Sequence, residues 1–269
     1  MMTTASDDAT LVLIERRDGV AIVRINRPAQ GNAAFPPLMK RLCEALDEVI
    51  GDPQVGAIVL SHTGRHFIAG ADFNWLRTLE DASIANIRQD IYAWFQGAAK
   101  RIHGCPKPVV AAIGGAAVTV GFELAIAADF RIVTDRAMFQ QSWIRLGLIG
   151  PLGSLKLLPA MVGWQMAKDI MLRMRAIGGD EAVKIGLATE LVAEEDREDR
   201  AIALARELAD LPPLAYRAMK EGLWQGLQSS FEDCWNMGVT NQAMLIGSED
   251  HREGLSALLE KRKPAFRGR

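Results

Sequence analysis

Cysteine is scarce in this 269-residue chain: Cys43, Cys105 and Cys234 are the only three, and they lie far apart. An odd number at wide spacing makes neither a disulfide framework nor a zinc site. The four histidines, His62, His66, His103 and His251, form no metal-ligand pattern either. They read as surface or loop residues without a catalytic role, and no metal is expected. Charge of one sign is also missing. A formal net charge of −2 argues against a nucleic-acid partner, which usually demands a strongly basic face. No apolar run reaches the ~20 residues that span a bilayer. The N-terminal MMTTASDDATLVL lacks the basic region and apolar core of a secretory leader. These absences imply a soluble protein of a reducing, cytoplasmic compartment, with no nucleic-acid or membrane partner.

What is present is an ordinary globular balance, 49% apolar and 24% charged. The length suits one large domain or a core with a smaller appended unit. Residues 1–9 read as a loose polar tail. LVLIERRDGVAIVRINRP predicts a hairpin turning at Asp18-Gly19. Apolar residues from Pro36 to Ile50 recur at helical spacing, with Gly51 as the stop. VGAIVLS and PVVAAIGG read as buried strands, with a helical stretch over residues 82–103 between them. DFRIVTD and AMFQQ are short strand candidates, and the remainder is mainly helical. Strand and helix alternate first and helices follow, which predicts an α/β core over residues 1–199 and a helical region over 200–269.

Two loops carry the chemistry, each after a buried strand. FIAGADF, residues 67–73, has small residues that allow close approach of another molecule to the backbone. VTVGFE, residues 118–123, places free N–H groups at a helix start, where the dipole favours negative charge. Two N–H groups meeting at one point would form an oxyanion hole, each donor of which is worth about 3–4 kcal/mol in a transition state. The second loop ends on Glu123, the lone carboxylate of GGAAVTVGFELAIAA. An acid in such surroundings is either a helix-start residue complementing the dipole or a proton carrier in a dry pocket.

Taken in order, RINRPAQGNA, FIAGAD, KPVVAAIGGAAVTVGFELAIAADFRI, FQQSWIRLGLIG and HREGLSALLEKRKPAF resemble the crotonase superfamily of enoyl-CoA hydratases and isomerases. The resemblance implies a crotonase-like spiral of ββα turns with a helical C-terminal trimerisation region. It implies a homotrimer or a dimer of trimers. It implies an acyl-CoA thioester substrate and no separate cofactor, since coenzyme A is part of the substrate. By the same resemblance, the N–H groups of Ala71 and Val120 hold the thioester oxygen, and Glu123 is a catalytic acid/base. Ala69, Gly70, Asp72, Gly121 and Trp143 contact substrate, with the Ala69 carbonyl near the adenine. The basic ending, Lys261, Arg262, Lys263 and Arg267, reads as a solvated helix end or as a contact for coenzyme A phosphates.

The departures from the family pattern matter equally. Trp143 occupies the place of the second hydratase carboxylate, Val120 replaces a glycine, and Asn74 replaces a frequent lysine. A β-branched residue at Val120 would be strained if the site required positive φ. Glu80, Glu181 and Asp72 are other acids that sequence does not exclude. Tryptophan at position 143 is similar to the aryl-CoA dehalogenase branch, but Pro151 stands where that branch needs a nucleophilic aspartate, which rules against dehalogenation. The expected activity is enoyl-CoA hydration. Isomerisation or another single-base reaction, or acyl-CoA binding with weak catalysis, are the alternatives.

Overall fold

The computed structural model describes residues 9–88 and 92–269. The tail expected over residues 1–9 lies outside that range except for Ala9, as do residues 89–91 of the helix expected over 82–103. Strands β1 (Val12–Arg17) and β2 (Val20–Ile25) form the hairpin. Asp18 and Gly19 both adopt positive φ, 50° and 79°, which a two-residue turn matched to the strand twist requires. Helix α1 (Pro36–Gly51) starts on prolines and buries Leu38, Leu42, Ala45, Leu46 and Val49 along one face. After β3 (Ala57–His62) comes the short α2 (Phe73–Arg77), then one helical turn at Ile84–Asn86 and α3 (Tyr92–His103).

Strands β4 (Val109–Ile113) and β5 (Ala116–Val118), helix α4 (Val120–Ala127), and strands β6 (Phe130–Thr134) and β7 (Met138–Gln140) follow. Helix α5 (Ser154–Val162) has no counterpart in the sequence reading because Pro159 sits inside it, where proline removes a helical hydrogen bond. Helix α6 (Trp164–Leu172), β8 (Ile177–Gly178), α7 (Gly179–Lys184) and β9 (Glu190–Val192) complete the core. Four longer helices end the chain: α8 (Arg197–Ala209), α9 (Pro213–Gly226), α10 (Phe231–Ile246) and α11 (Glu249–Glu260).

The strands form two layers. The larger sheet runs β1-β2-β3-β4-β6-β9 and is parallel except for the hairpin. The smaller runs β5-β7-β8 and is extended by single bridges, Ile68 to Ala117 and Ala34 to Ala71. Successive turns of chain therefore add a pairing to each layer before a helix closes the turn, the spiral of ββα turns expected from the sequence. Parallel strands covered on both faces must be apolar throughout, and all five residues of β4 are buried. Val23, Leu60 and Ala111 face the core shared with α1, α3 and α4. Ile22, Val59 and Val110 pack with Ala201, Ile202 and Ala205 of α8. The boundary expected at residue 200 thus falls inside a helix that covers the sheet, and the helices that stand clear of it start at Pro213.

One expectation fails at the end of β3. His62 is buried rather than superficial. Its Nε2 accepts the Gly114 N–H at 3.1 Å and also contacts Arg197, while His66 Nδ1 accepts the Ala116 N–H at 3.1 Å. Burial first, and then the Arg197 charge, push the His62 pKa down to about 3, so the ring stays a neutral acceptor. These two histidines hold the corner where β4 passes into β5. Among the described residues no helix is long and apolar enough to cross a membrane.

Packing between turns is tight at the start of α4. All eight residues of that helix are buried. A Cβ added to Gly121 would lie 2.5 Å from the Ile68 carbonyl oxygen and 2.7 Å from the Ile68 Cβ. Neither atom is the flexible end of a side chain, so the backbone must move. We expect Gly121→Ala to destabilise the fold by about 1–3 kcal/mol, the usual range for overpacking. A urea midpoint unchanged from that of the parent would contradict this close approach.

Candidate active site

The Gly121 contact brings the two sequence loops to one place. In the first loop the N–H groups of Phe67, Ile68, Ala69 and Asp72 donate to Gly114, Ala116, Gly31 and Ala34 carbonyls. The Gly70 carbonyl accepts from Ala34 N–H at 2.8 Å. Among the described residues the N–H of Ala71 has no acceptor, although Ala71 is only 8% exposed. In the second loop Val118 N–H donates to Ile68 O at 2.9 Å and Thr119 N–H to Gln140 O at 2.9 Å. Val120 opens α4, its N–H has no acceptor among the described residues, and Thr119 gives the helix no side-chain cap. Buried N–H groups without partners are rare, and those of Gly70, Gly121 and Phe122 also lack an acceptor among the described residues, so the clustering of bare donors where the loops adjoin is a chemical signal.

The positive φ that would have strained Val120 falls one residue earlier. Thr119 has φ 47° and ψ −102°, a conformation that costs a β-branched residue ~1–3 kcal/mol. Val120 itself has no positive φ. Thr119 ends β5 and α4 begins on the next residue, so an uncapped helix start comes within one residue of the strand. Gly70 adopts φ 125° beside it, and a Cβ there would touch Thr119 Oγ1 at 3.4 Å.

Ala69, Gly70 and Ala71 from one loop and Val118 and Thr119 from the other wall a cavity of about 130 Å³. A larger cavity of about 550 Å³ adjoins it and shares Phe73, Leu76, Trp143 and Leu146 as walls. Val120 lies on the larger side, with Trp75, Tyr92, Phe95, Pro151 and Leu152. Among the described residues, the charged side chains lining the larger cavity are those of Arg77 and Glu80.

Glu123 is buried with no exposed surface, so it is not a superficial helix-start acid. Its Oε1 accepts three hydrogen bonds, from Leu152 N–H at 3.0 Å, Ser154 N–H at 3.3 Å and Ser154 Oγ at 2.7 Å. Its Oε2 has none. The carboxyl does not line either cavity. Leu152, which does, holds it through its N–H. Gly150 lets the 150–154 turn come close, since a Cβ there would lie 2.4 Å from Ser154 Oγ and 2.9 Å from Glu123 Oε1. Thr119 Oγ1, Gln141 Oε1 and Trp143 Nε1 are also buried without partners. All three belong to the segments around Glu123, so among the described residues every such side-chain atom except Arg197 Nε gathers at this site.

Of the other acids, Asp72 pairs with Arg27 at 2.8 Å and caps α2 by accepting from Asn74 N–H at 2.9 Å. Glu181 pairs with Arg175 on the surface. Glu80 alone of the three reaches a cavity wall. Sequence reasoning passed over Tyr92, one of only two tyrosines. Its rarity was the only signal available. In the basic ending, Arg262 pairs with Glu253 and Glu260, and Lys263 with Asp210. Among the described residues no group of three or more His, Cys, Asp or Glu is arranged to hold a metal ion.

Burial raises the Glu123 pKa from its ordinary value of 4.5, opposed by the donors from Ser154 and Leu152. The Tyr92 phenol is raised too, by burial first and then by the Glu123 charge. A carboxyl whose folded pKa is raised favours the fold below its unfolded pKa. That contribution is lost as pH climbs through the folded value. We expect Glu123→Gln, which keeps an oxygen for the Ser154 donors and removes the charge, to raise Tm at pH 7.5. A gain of about 2–4 °C corresponds to ~1 kcal/mol in a chain of this size. The gain should shrink as pH falls through the raised folded value and be gone below 4.5. Calorimetry showing equal stability at both pH values would contradict a desolvated carboxylate.

Comparison with known proteins follows the same lines. The family model for enoyl-CoA hydratase/isomerase matches residues 15–269. A crotonyl-CoA hydratase from Syntrophomonas wolfei is 30% identical over 256 residues, 95% of this chain and 97% of that one. A 4-chlorobenzoyl coenzyme A dehalogenase from Arthrobacter is 31% identical over 250 residues, 93% of this chain and 91% of the other. The crystal structure of an enoyl-CoA hydratase from Bacillus anthracis superposes with a TM-score of 0.89 at 28% identity, covering 96% of this chain and 100% of that one. With layered turns, paired loops and buried acid all inside the matched span, the chain belongs to the enoyl-CoA hydratase/isomerase family.

Proposed function

We propose that the protein hydrates 2-enoyl-CoA thioesters, with Ala71 and Val120 N–H groups as the oxyanion hole and Glu123 as the acid/base. The observation that carries this reading is the pair of acceptorless N–H groups on adjoining loops, with a carboxyl behind them whose Oε2 is unpaired. The thioester oxygen accepts from both N–H groups. As water adds, its oxygen bonds to C3, its proton passes to the Glu123 carboxylate, and the C2–C3 π electrons move toward the thioester oxygen. The enolate charge falls on the two donors and the α4 dipole, which do not reorganise during the step. Glu123 then returns the proton to C2, and the sum is water plus enoyl thioester. A carboxyl with a raised pKa suits both halves of that cycle better than an ordinary one.

In this reading Gly70, Gly121 and Ala69 keep the loops thin enough for the thioester. Asp72 acts indirectly, capping α2 and pairing with Arg27. Coenzyme A enters with the substrate and no other cofactor is invoked. Trp143 in place of a second acid favours one further reading, isomerisation of the double bond, in which a single carboxyl moves a proton between C2 and C4. Dehalogenation by an attacking carboxylate gains no support, because Pro151 lies on the cavity wall where that nucleophile would be.

Assembly belongs to the same proposal. Helices α9 and α10 bury no residue, yet Leu223, Phe231, Trp235 and Val239 are exposed along them. Apolar surface of that extent calls for a partner surface, and a homotrimer or a dimer of trimers is the state that the family supplies. The three cysteines are free, which suits a reducing cytoplasm.

Glu123→Gln is expected to lower kcat/KM on crotonyl-CoA by about 10²–10⁴-fold, the usual share of general acid–base catalysis. Unchanged turnover would remove Glu123 from the mechanism. Activity should rise with pH through a midpoint above 4.5, since the base must be ionised and burial holds it protonated longer. A profile flat across that region would exclude a buried carboxyl as the base. Light scattering at micromolar concentration should give three or six chains per particle, and a monomer would contradict the assembly.

A further inference from the structure

We propose that the acyl group of the substrate carries an aromatic ring. This rests on the thioester reading above and goes beyond it to the class of acyl chain. Volume gives the first argument. At about 30 Å³ per non-hydrogen atom, the share of a water molecule in the liquid, a four-carbon enoyl group occupies roughly a quarter of the 550 Å³ cavity. A phenylpropenoyl group occupies roughly half. Cavities of this size hold ligands much larger than a butenoyl chain.

Wall chemistry gives the second. Phe73, Trp75, Tyr92, Phe95 and Trp143 all line this cavity, in a chain whose aromatic residues make up only 6%. Trp75 stacks on Phe95 with centroids 4.9 Å apart and planes 14° from parallel, so the wall includes a stacked aromatic surface. Ring-on-ring contact adds to simple area burial. A long alkyl chain fills the same volume without using that surface and loses more rotational freedom on binding. The small cavity beside Ala71 and Thr119 opens past Trp143, so a thioester carbonyl there directs the acyl group between these rings.

The test is calorimetric, with saturated thioesters that cannot turn over: 3-phenylpropanoyl-CoA, butanoyl-CoA and decanoyl-CoA. Phenylpropanoyl-CoA is expected to bind at least tenfold tighter than both others. Leu79→Trp, which narrows the cavity from one wall, is expected to cut the ratio of phenylpropanoyl to butanoyl affinity at least tenfold. Binding of all three within threefold, or tighter binding of decanoyl-CoA, overturns the aromatic assignment while the thioester reading stands. Absence of binding by any of the three overturns both.

Discussion

The contact between Gly121 and the Ile68 carbonyl governs the whole site. A helix start can approach a neighbouring loop this closely only where the residue has no side chain, and an added Cβ would sit 2.5 Å from that oxygen. The spiral sets up the encounter. Each turn of chain lays a strand beside the previous one in both layers, so the 67–72 loop and the β5–α4 turn are stacked as adjacent edges of the small layer. Hydrogen bonds satisfy most of the backbone of both edges. The N–H groups of Ala71 and Val120 are left facing no protein acceptor because the first lies outside its bridge pairing and the second starts an uncapped helix.

The same geometry settles the fate of Glu123. A helix whose every residue is buried has no solvent face to hold an acid, so the carboxyl must find donors within the protein. Ser154 and Leu152 satisfy one oxygen, and the other remains bare in an interior where an unsatisfied polar group costs ~1–3 kcal/mol. Desolvation outweighs the donors, and the pKa rises. Trp143 adds to the cost, since its bulk excludes water and its indole N–H finds no acceptor. The fold thus retains a strained Thr119, several orphaned polar atoms and a destabilised acid within a few ångströms of side-chain packing. Concentrated cost of this kind is what a site selected for reactivity looks like.

Much of this was legible in the sequence, and the gaps have identifiable causes. Strands buried on both faces show as unbroken apolar runs, and the Asp18-Gly19 turn announces its hairpin. Glu123 stands out because charge in such a run is unusual. Helix α5 is concealed by Pro159, and β5 by its three-residue length. The burial of His62 is invisible because neutral imidazole leaves no mark in a pattern of polar and apolar residues. Tyr92 and Glu80 join the cavity wall from outside the two motif loops, and only the fold brings them there. The strain at Thr119 rather than Val120 depends on where the strand ends, a boundary that periodicity does not resolve.

Everything proposed for the chemistry depends on two backbone amides polarising one carbonyl. Infrared difference spectroscopy of a bound acyl-CoA, labelled with ¹³C at the thioester carbon, reads that interaction directly. Strong donation from Ala71 and Val120 moves the carbonyl stretch to clearly lower frequency than in water. A thioester that binds with its carbonyl frequency unshifted would show that these amides do not form an oxyanion hole.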